Sequence, residues 1–203
     1  MENELEPKLE EAKEGKRKIL FVDAAHFVMG AYLTCLWCLT RIFVRTSSGR
    51  QRYNVLGAID AFTQDLITVT NNSYINSDSI CELLSKIHNA YCELSIPITI
   101  VLDNAKYQRC VKVTDYAKEI GIELLFLPTY SPNLNLIERL WKFVKKKCLY
   151  GKHYKKFADF KESIDSCLGK VGNEYKREIE TLITTNFQCF QEVKEYIKLE
   201  KAA

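Results

Sequence analysis

Apolar positions along the chain fall into short dense runs and helically spaced stripes, which predicts a succession of strands and amphipathic helices. Lys18–Gly30 (KILFVDAAHFVMG) has a strand-like apolar start. Ile42–Val44 is a short apolar piece, followed by the turn-like Ser47-Ser48-Gly49. Tyr53–Asp60 (YNVLGAID) and Asp65–Thr70 (DLITVT) read as two strands joined by a short turn, hence a hairpin. Asn76-Ser77-Asp78 offers caps for a helix through about Cys92, with Ile80, Leu83, Leu84, Ile87 and Tyr91 at helical spacing. Pro97–Leu102 (PITIVL) predicts a strand buried on both faces. Arg109–Ile120 reads as a helix stopped at Gly121, and Ile122–Leu127 (IELLFL) as another strand. A loop with Pro128 and Pro132 leads into a basic helix from about Asn135 to Leu149, and further helices are expected near Phe157–Leu168 and Glu174–Glu195.

The order is therefore β-β-β-α-β-α-β-α followed by helices. Early strands joined by hairpins and later strands joined by helices give an α/β fold with a mixed sheet, the later strands parallel and their crossovers right-handed. That is the ribonuclease H-like order, and order alone also fits other α/β folds. Residues 1–17 carry six glutamates and predict a short helix or frayed tail, too polar for a core role. Residues 18–195 then form one domain and 196–203 a C-terminal tail. A chain of 203 residues, 47% hydrophobic and 27% charged, is ordinary globular usage and long enough for a single core.

The net charge, 29 − 26 = +3, says little by itself. The N-terminus is acidic and polar rather than leader-like, so the eight cysteines read as reduced thiols of a cytoplasmic protein. Ala24–Thr40 is a 17-residue stretch without a formally charged side chain. It contains His26, Gly30 and Tyr32, and a membrane span wants about 20 mostly apolar residues, so no membrane role is expected.

Three carboxylates stand out. Asp23 interrupts the apolar first strand, where a charge is costly unless paired, hydrogen-bonded or metal-bound; the bland alternative is a strand end or bulge. Asp103 directly follows the strand ITIVL and is itself followed by Asn104, so it either starts a turn or stands at a parallel strand's C-terminal edge, where α/β sheets place ligands. Glu138 sits early in the basic helix, beside the stripe Ile137, Leu140, Trp141, Val144 and Cys148. Asn135 and Glu138 have capping-box spacing, and Glu138 and Lys142 are spaced for an ion pair. Carboxylates converging on one point need a counter-charge, which divalent magnesium or manganese supplies; two such ions can promote an in-line phosphoryl displacement. No P-loop, GxGxxG or HExxH is present.

The segments LDNAKYQ and LPTYSPNLNLIERLWKFVKKK, with FVDAAHFVMG and GRQRYNVLGAID, resemble the catalytic core of DDE transposases, most closely the insertion-sequence 630 group of the mariner-like superfamily. The 34 residues between Asp103 and Glu138 match that superfamily's spacing of its second and third acids. The resemblance covers about residues 18–195. It implies a ribonuclease H-like five-stranded fold with extra C-terminal helices. It implies Asp23, Asp103 and Glu138 as the catalytic, metal-binding triad, holding two Mg²⁺ or Mn²⁺ ions. The implied reaction is cleavage at transposon ends and attack of the freed 3′ hydroxyl on target DNA at TA, by a homodimer bridging two ends. Tyr107 stands where many relatives carry histidine, and Leu136 where many carry proline. Family members usually begin with helix-turn-helix domains, whereas about 17 residues precede the first strand here. The chain is accordingly expected to be the second frame of a split gene, partnered by a DNA-reading chain, or a truncated remnant.

Arg139 to Lys156 contains eight Lys/Arg and no acid. It reads as a solvated face or, lying beside Glu138, as a phosphate-binding strip in which Arg139, Lys142, Lys145, Lys146 and Lys147 contact DNA. Arg45, Arg50 and Arg52 would add a second strip. Asn104 either orients Asp103, contacts DNA or serves the turn. Trp141 reads as core, and so does His26, on the strand face opposite Asp23. Cys35-x-x-Cys38 has no second pair for zinc. Asp60 and Asp65 bracket a turn, with Asp60 a candidate accessory acid. Two other functions compete with the transposase: a related ribonuclease H-like nuclease acting on RNA–DNA hybrids, and a repurposed, non-enzymatic DNA-binding remnant.

Overall fold

The sheet has the order β3-β2-β1-β4-β5. Its strands are β1 (Lys18–Val28), β2 (Arg52–Asp60), β3 (Leu66–Asn71), β4 (Ile98–Leu102) and β5 (Ile122–Phe126). The helices are α1 (Glu2–Lys13), α2 (Ser77–Tyr91), α3 (Val111–Glu119), α4 (Ile137–Val144), α5 (Phe157–Gly169) and α6 (Lys176–Leu182). The computed structural model describes residues 2–30, 32, 51–128 and 134–185. The expected apolar piece Ile42–Val44, Arg45, Arg50 and the pair Cys35/Cys38 lie outside the described residues.

β1 pairs antiparallel with β2, and β2 with β3; β1 and β4, and β4 and β5, are parallel. This is the expected ribonuclease H-like mixed sheet. Alternation along β1 serves two layers. Ile19, Phe21, Ala25 and Phe27 enter one core, and Leu20 and Val22 the other. The first core is closed by Leu5 and Leu9 of α1, Leu140 and Val144 of α4, Phe160 of α5 and Ile179 of α6. The second is closed by Ile80, Leu83, Leu84 and Ile87 of α2 and Val113 and Ala117 of α3. β4 is buried along its whole length, as a central parallel strand should be.

Local signals work where they are local. Asn76 caps α2, its side chain accepting from the Ser79 N–H at 3.0 Å. Gly121 adopts φ +71° between α3 and β5, a left-handed position that turns the chain after the helix.

Three expectations need correction. Residues 2–13 are no polar appendage: Leu5, Leu9 and Ala12 are buried against the sheet, and Arg17 beside them joins Glu11 and Glu123. The helix expected over Glu174–Glu195 is helical over Lys176–Leu182 and broken at 183–185, where the Arg139 guanidinium takes the Leu182 carbonyl at 3.1 Å and the Thr184 carbonyl at 2.8 Å; its remainder lies outside the described residues. The basic helix is not one regular element: α4 gives way to a π-helical turn at Lys145–Leu149.

Candidate active site

Asp23 lies within β1, in unbroken register opposite Gly57 of β2, so it is neither at a strand end nor in a bulge. Its odd position directs it toward the α4 layer, between Phe21 and Ala25. The buried Trp141 of α4 crosses over Gly57 and donates its Nε1–H to Asp23 Oδ2 at 3.1 Å. Trp141 is thus core, as its place in the stripe predicts, and also a hydrogen-bond partner of the strand acid. Burial is the main cause that pushes the Asp23 carboxyl up to about 6. The Ala24 N–H and the Trp141 indole pull the other way, and the fields of Asp103 and Glu138 add to the rise.

The last β1–β4 pair is Val22↔Leu102. One step further come Asp23, still within β1, and Asp103, the first residue past the end of β4. Asp103 Oδ1 accepts a 3.0 Å hydrogen bond from Asn135 Nδ2, which also donates to the Val22 carbonyl at 3.1 Å. Asn135 therefore does not cap α4 as the capping-box spacing suggests; Leu136 is the cap residue, with no side-chain cap bond. Asn104 Oδ1 accepts from Arg109 at 2.6 Å.

Glu138 occupies the first turn of α4, half-buried. Burial, then the field of Asp103, raises its pKa, and Lys142 and Lys145 lower it. Fields from Asp23 and Asp103 likewise help burial to raise the Tyr107 phenol, which places the histidine-substituting residue beside the acids. Asp23 thus feels the fields of Asp103 and Glu138, and Glu138 that of Asp103, so the three acids lie in one neighbourhood. Among the described residues no three His, Cys, Asp or Glu side chains close on a single point. The donor chemistry nonetheless fits a hard divalent cation: an all-oxygen set with excess negative charge, including a carboxyl raised chiefly by burial and further by its acidic neighbours.

The cations divide. Lys142 and Lys145 act on Glu138. Arg139, Lys142, Lys146 and Lys147 line a cleft of about 620 Å³ between α4 and α6. Lys147 pairs there with Glu178 at 2.8 Å and lies over the Tyr175 ring.

Other residues fall outside the cluster. Asp60 is buried at the far end of β2, accepting from the Phe62 and Thr63 N–H groups and pairing with Lys18 at 3.0 Å. His26 takes the face opposite Asp23 as expected, but it is exposed rather than core, its Nδ1 2.7 Å from Asn54 Oδ1. β4 stops at Leu102, so β1 beyond Val22 is flanked by β2 alone among the described residues. The five described cysteines are free thiols, and no described helix is long and apolar enough to cross a membrane.

Residues 18–161 match the DDE superfamily endonuclease family. Among curated proteins no sequence matches the chain. Among solved structures, the catalytic domain of Mos1 mariner transposase superposes with a TM-score of 0.57 at 14% identity, covering 92% of this chain and 93% of that one. A Mos1 mariner paired-end complex with Mn gives 0.63 at 13% identity, with coverages of 92% and 62%. A chain of the simian T-cell lymphotropic virus intasome, solved with the PP2A regulatory subunit B56 gamma, gives 0.52 at 17% identity, with coverages of 76% and 48%. The chain thus spans about half to three fifths of the length of the latter two, and these likenesses carry the fold.

Proposed function

The chain belongs to the DDE superfamily endonucleases, and from that premise we propose that it is the catalytic core of a transposase of the insertion-sequence 630 type, acting in the cytoplasm on nucleoid DNA. The carrying observation is that Asp23 on β1, Asp103 directly after the neighbouring parallel strand β4 and Glu138 in the first turn of α4 share an electrostatic field.

Asp23, Asp103 and Glu138 would hold the ions. Two bound Mg²⁺ or Mn²⁺ ions would neutralise the carboxylates and stabilise both the attacking and the leaving oxygen of an in-line displacement. The chain's own residues supply the frame. β1 and β4 fix the two aspartates side by side. α4 presents Glu138 with Lys142 and Lys145 beside it, so a phosphate drawn by the lysines would lie against the acids. Lys146, Lys147, Arg139 and Asn104 would extend the contact along the backbone without reading sequence. In the first reaction water breaks a phosphodiester at the transposon end and leaves a 3′ hydroxyl. In the second that hydroxyl attacks a target phosphodiester at TA, exchanging one P–O bond for another. Recognition of the ends would come from a separate helix-turn-helix chain or frame, and a homodimer would hold two ends.

A substrate panel tests this reading against a hybrid-directed nuclease. Terminal-repeat duplex and RNA–DNA hybrid are each incubated with the protein, with and without the DNA-reading chain, in Mg²⁺ or Mn²⁺. Nicking confined to the ends of the duplex is the expected result; cleavage of the hybrid alone would overturn it.

A further inference from the structure

Asn135, Glu138 and Trp141 recur at every third position, so one short stretch presents a polar group at each successive turn toward the same acids. The middle one is an acid itself. The outer two each give a side-chain donor to one aspartate: Asn135 Nδ2 to Asp103 at 3.0 Å and Trp141 Nε1 to Asp23 at 3.1 Å. Asn135 is 2% exposed and Trp141 5% exposed, so both donors are buried and both bonds are partly shielded from water, which strengthens a charge-assisted donor.

Two details show that these contacts are built rather than incidental. Asn135 stands one residue before the Leu136 cap, and its side chain turns inward, leaving the helix without a side-chain cap. Its amide orientation is fixed, because the nitrogen faces two acceptors, the Val22 carbonyl and Asp103. Its own Oδ1 is buried with no partner among the described residues. On the other side, a Cβ at residue 57 would lie 2.7 Å from the Trp141 ring. Only glycine opposite Asp23 leaves room for the indole to reach the carboxylate.

Resting on the metal-site reading above, we propose that Asn135 and Trp141 are positioning residues. Each clamps one aspartate in the orientation a divalent cation requires, and the α4 segment thereby sets the spacing of all three acids. They touch neither ion nor DNA, and act through the carboxylates they hold.

The test is direct Mn²⁺ binding to the DNA-free protein, followed by electron paramagnetic resonance. It uses wild type, Trp141→Phe, Asn135→Ala and Phe160→Leu, with thermal melting of each. Trp141→Phe removes the donor together with the outer part of the indole over Gly57, so Phe160→Leu serves as the control for lost packing. Loss of an outer partner of a metal ligand weakens affinity by about 10–100-fold. That range is expected for Trp141→Phe and Asn135→Ala, with excess Mn²⁺ restoring DNA cleavage. Phe160→Leu, in the core of α5, should melt earlier with affinity unchanged. Should Asn135→Ala fail to fold, Trp141→Phe carries the test alone. A wild type that binds no Mn²⁺ would overturn the metal-site reading and this inference with it. Wild-type binding retained undiminished in folded Trp141→Phe would overturn the positioning inference alone.

Discussion

Gly57 stands directly opposite Asp23 across the β1–β2 ladder, and the space its missing side chain leaves is filled by the ring of Trp141. A close approach of this kind ties the strand pairing to the site. Gly57→Ala would drive a methyl into the buried indole and to within 3.0 Å of Ile137 Cδ1, where neither can swing away like a surface side chain. Overpacking of this type costs about 1–3 kcal/mol. The expected result is a lowered urea midpoint together with weakened Mn²⁺ binding, both read on the same samples.

Asp23 makes the stability of the metal-free protein depend on pH. Its folded pKa of about 6 lies above the ordinary value of 3.8. Between those values the folded state binds more protons than the unfolded chain, so this group's contribution falls as pH rises from about 4 to about 6 and is flat above. The full penalty is of order 3 kcal/mol, from about two pK units at 1.36 kcal/mol each. Urea unfolding in chelator at pH 4, 5, 6 and 7 should show wild type losing stability relative to Asp23→Asn over that window. Added Mg²⁺ should remove the loss at the upper end, since metal binds the deprotonated form.

The basic strip separates into cations beside the acids and a cation already paired. Joint replacement of Lys142, Lys145 and Lys146 by glutamine should weaken duplex binding and lower the slope of log K against log salt by up to about 0.9 for each phosphate no longer neutralised. Lys147→Gln alone should change the slope less, because Lys147 is paired with Glu178. Filter-binding titrations from low to moderate salt read both, and an unchanged slope in the triple variant would remove these lysines from the interface.

α1 carries part of the main core. Leu5→Ala deletes a side chain that is 3% exposed against the sheet. A Leu→Ala change at such a site costs about 2–5 kcal/mol. Chemical denaturation should show a loss in that range; a change below about 0.5 kcal/mol, the usual effect of surface substitution, would mean that α1 is dispensable.

Much of this was legible in the sequence, for reasons that can be named. The succession of strands and helices followed from the alternation of short apolar runs with helical stripes. The acids were legible because a charge inside KILFVDAAHFV, or directly after ITIVL, has no cheap apolar explanation. Other features depended on distant partners. The Asn135 pattern satisfied a local capping rule, but an acceptor 32 residues away took its amide. Trp141 lay on the apolar stripe, while its polar partner was 118 residues back in the chain. The role of α1 was masked by its glutamates, although Leu5, Leu9 and Ala12 already marked one helical face. His26 was placed on the correct face but in the wrong environment, because nothing in the sequence marked where β4 would end.

The most direct measurement is strand cleavage of an end-labelled terminal-repeat duplex by wild type and Glu138→Gln, in Mg²⁺ or Mn²⁺, with the DNA-reading chain supplied. Glutamine keeps the shape of the side chain and removes its charge. The expected result is metal-dependent cleavage by wild type, with a loss beyond about 100-fold in a folded variant that still binds the duplex. Cleavage by folded Glu138→Gln at the wild-type rate would contradict the assignment of Asp23, Asp103 and Glu138 as the catalytic triad.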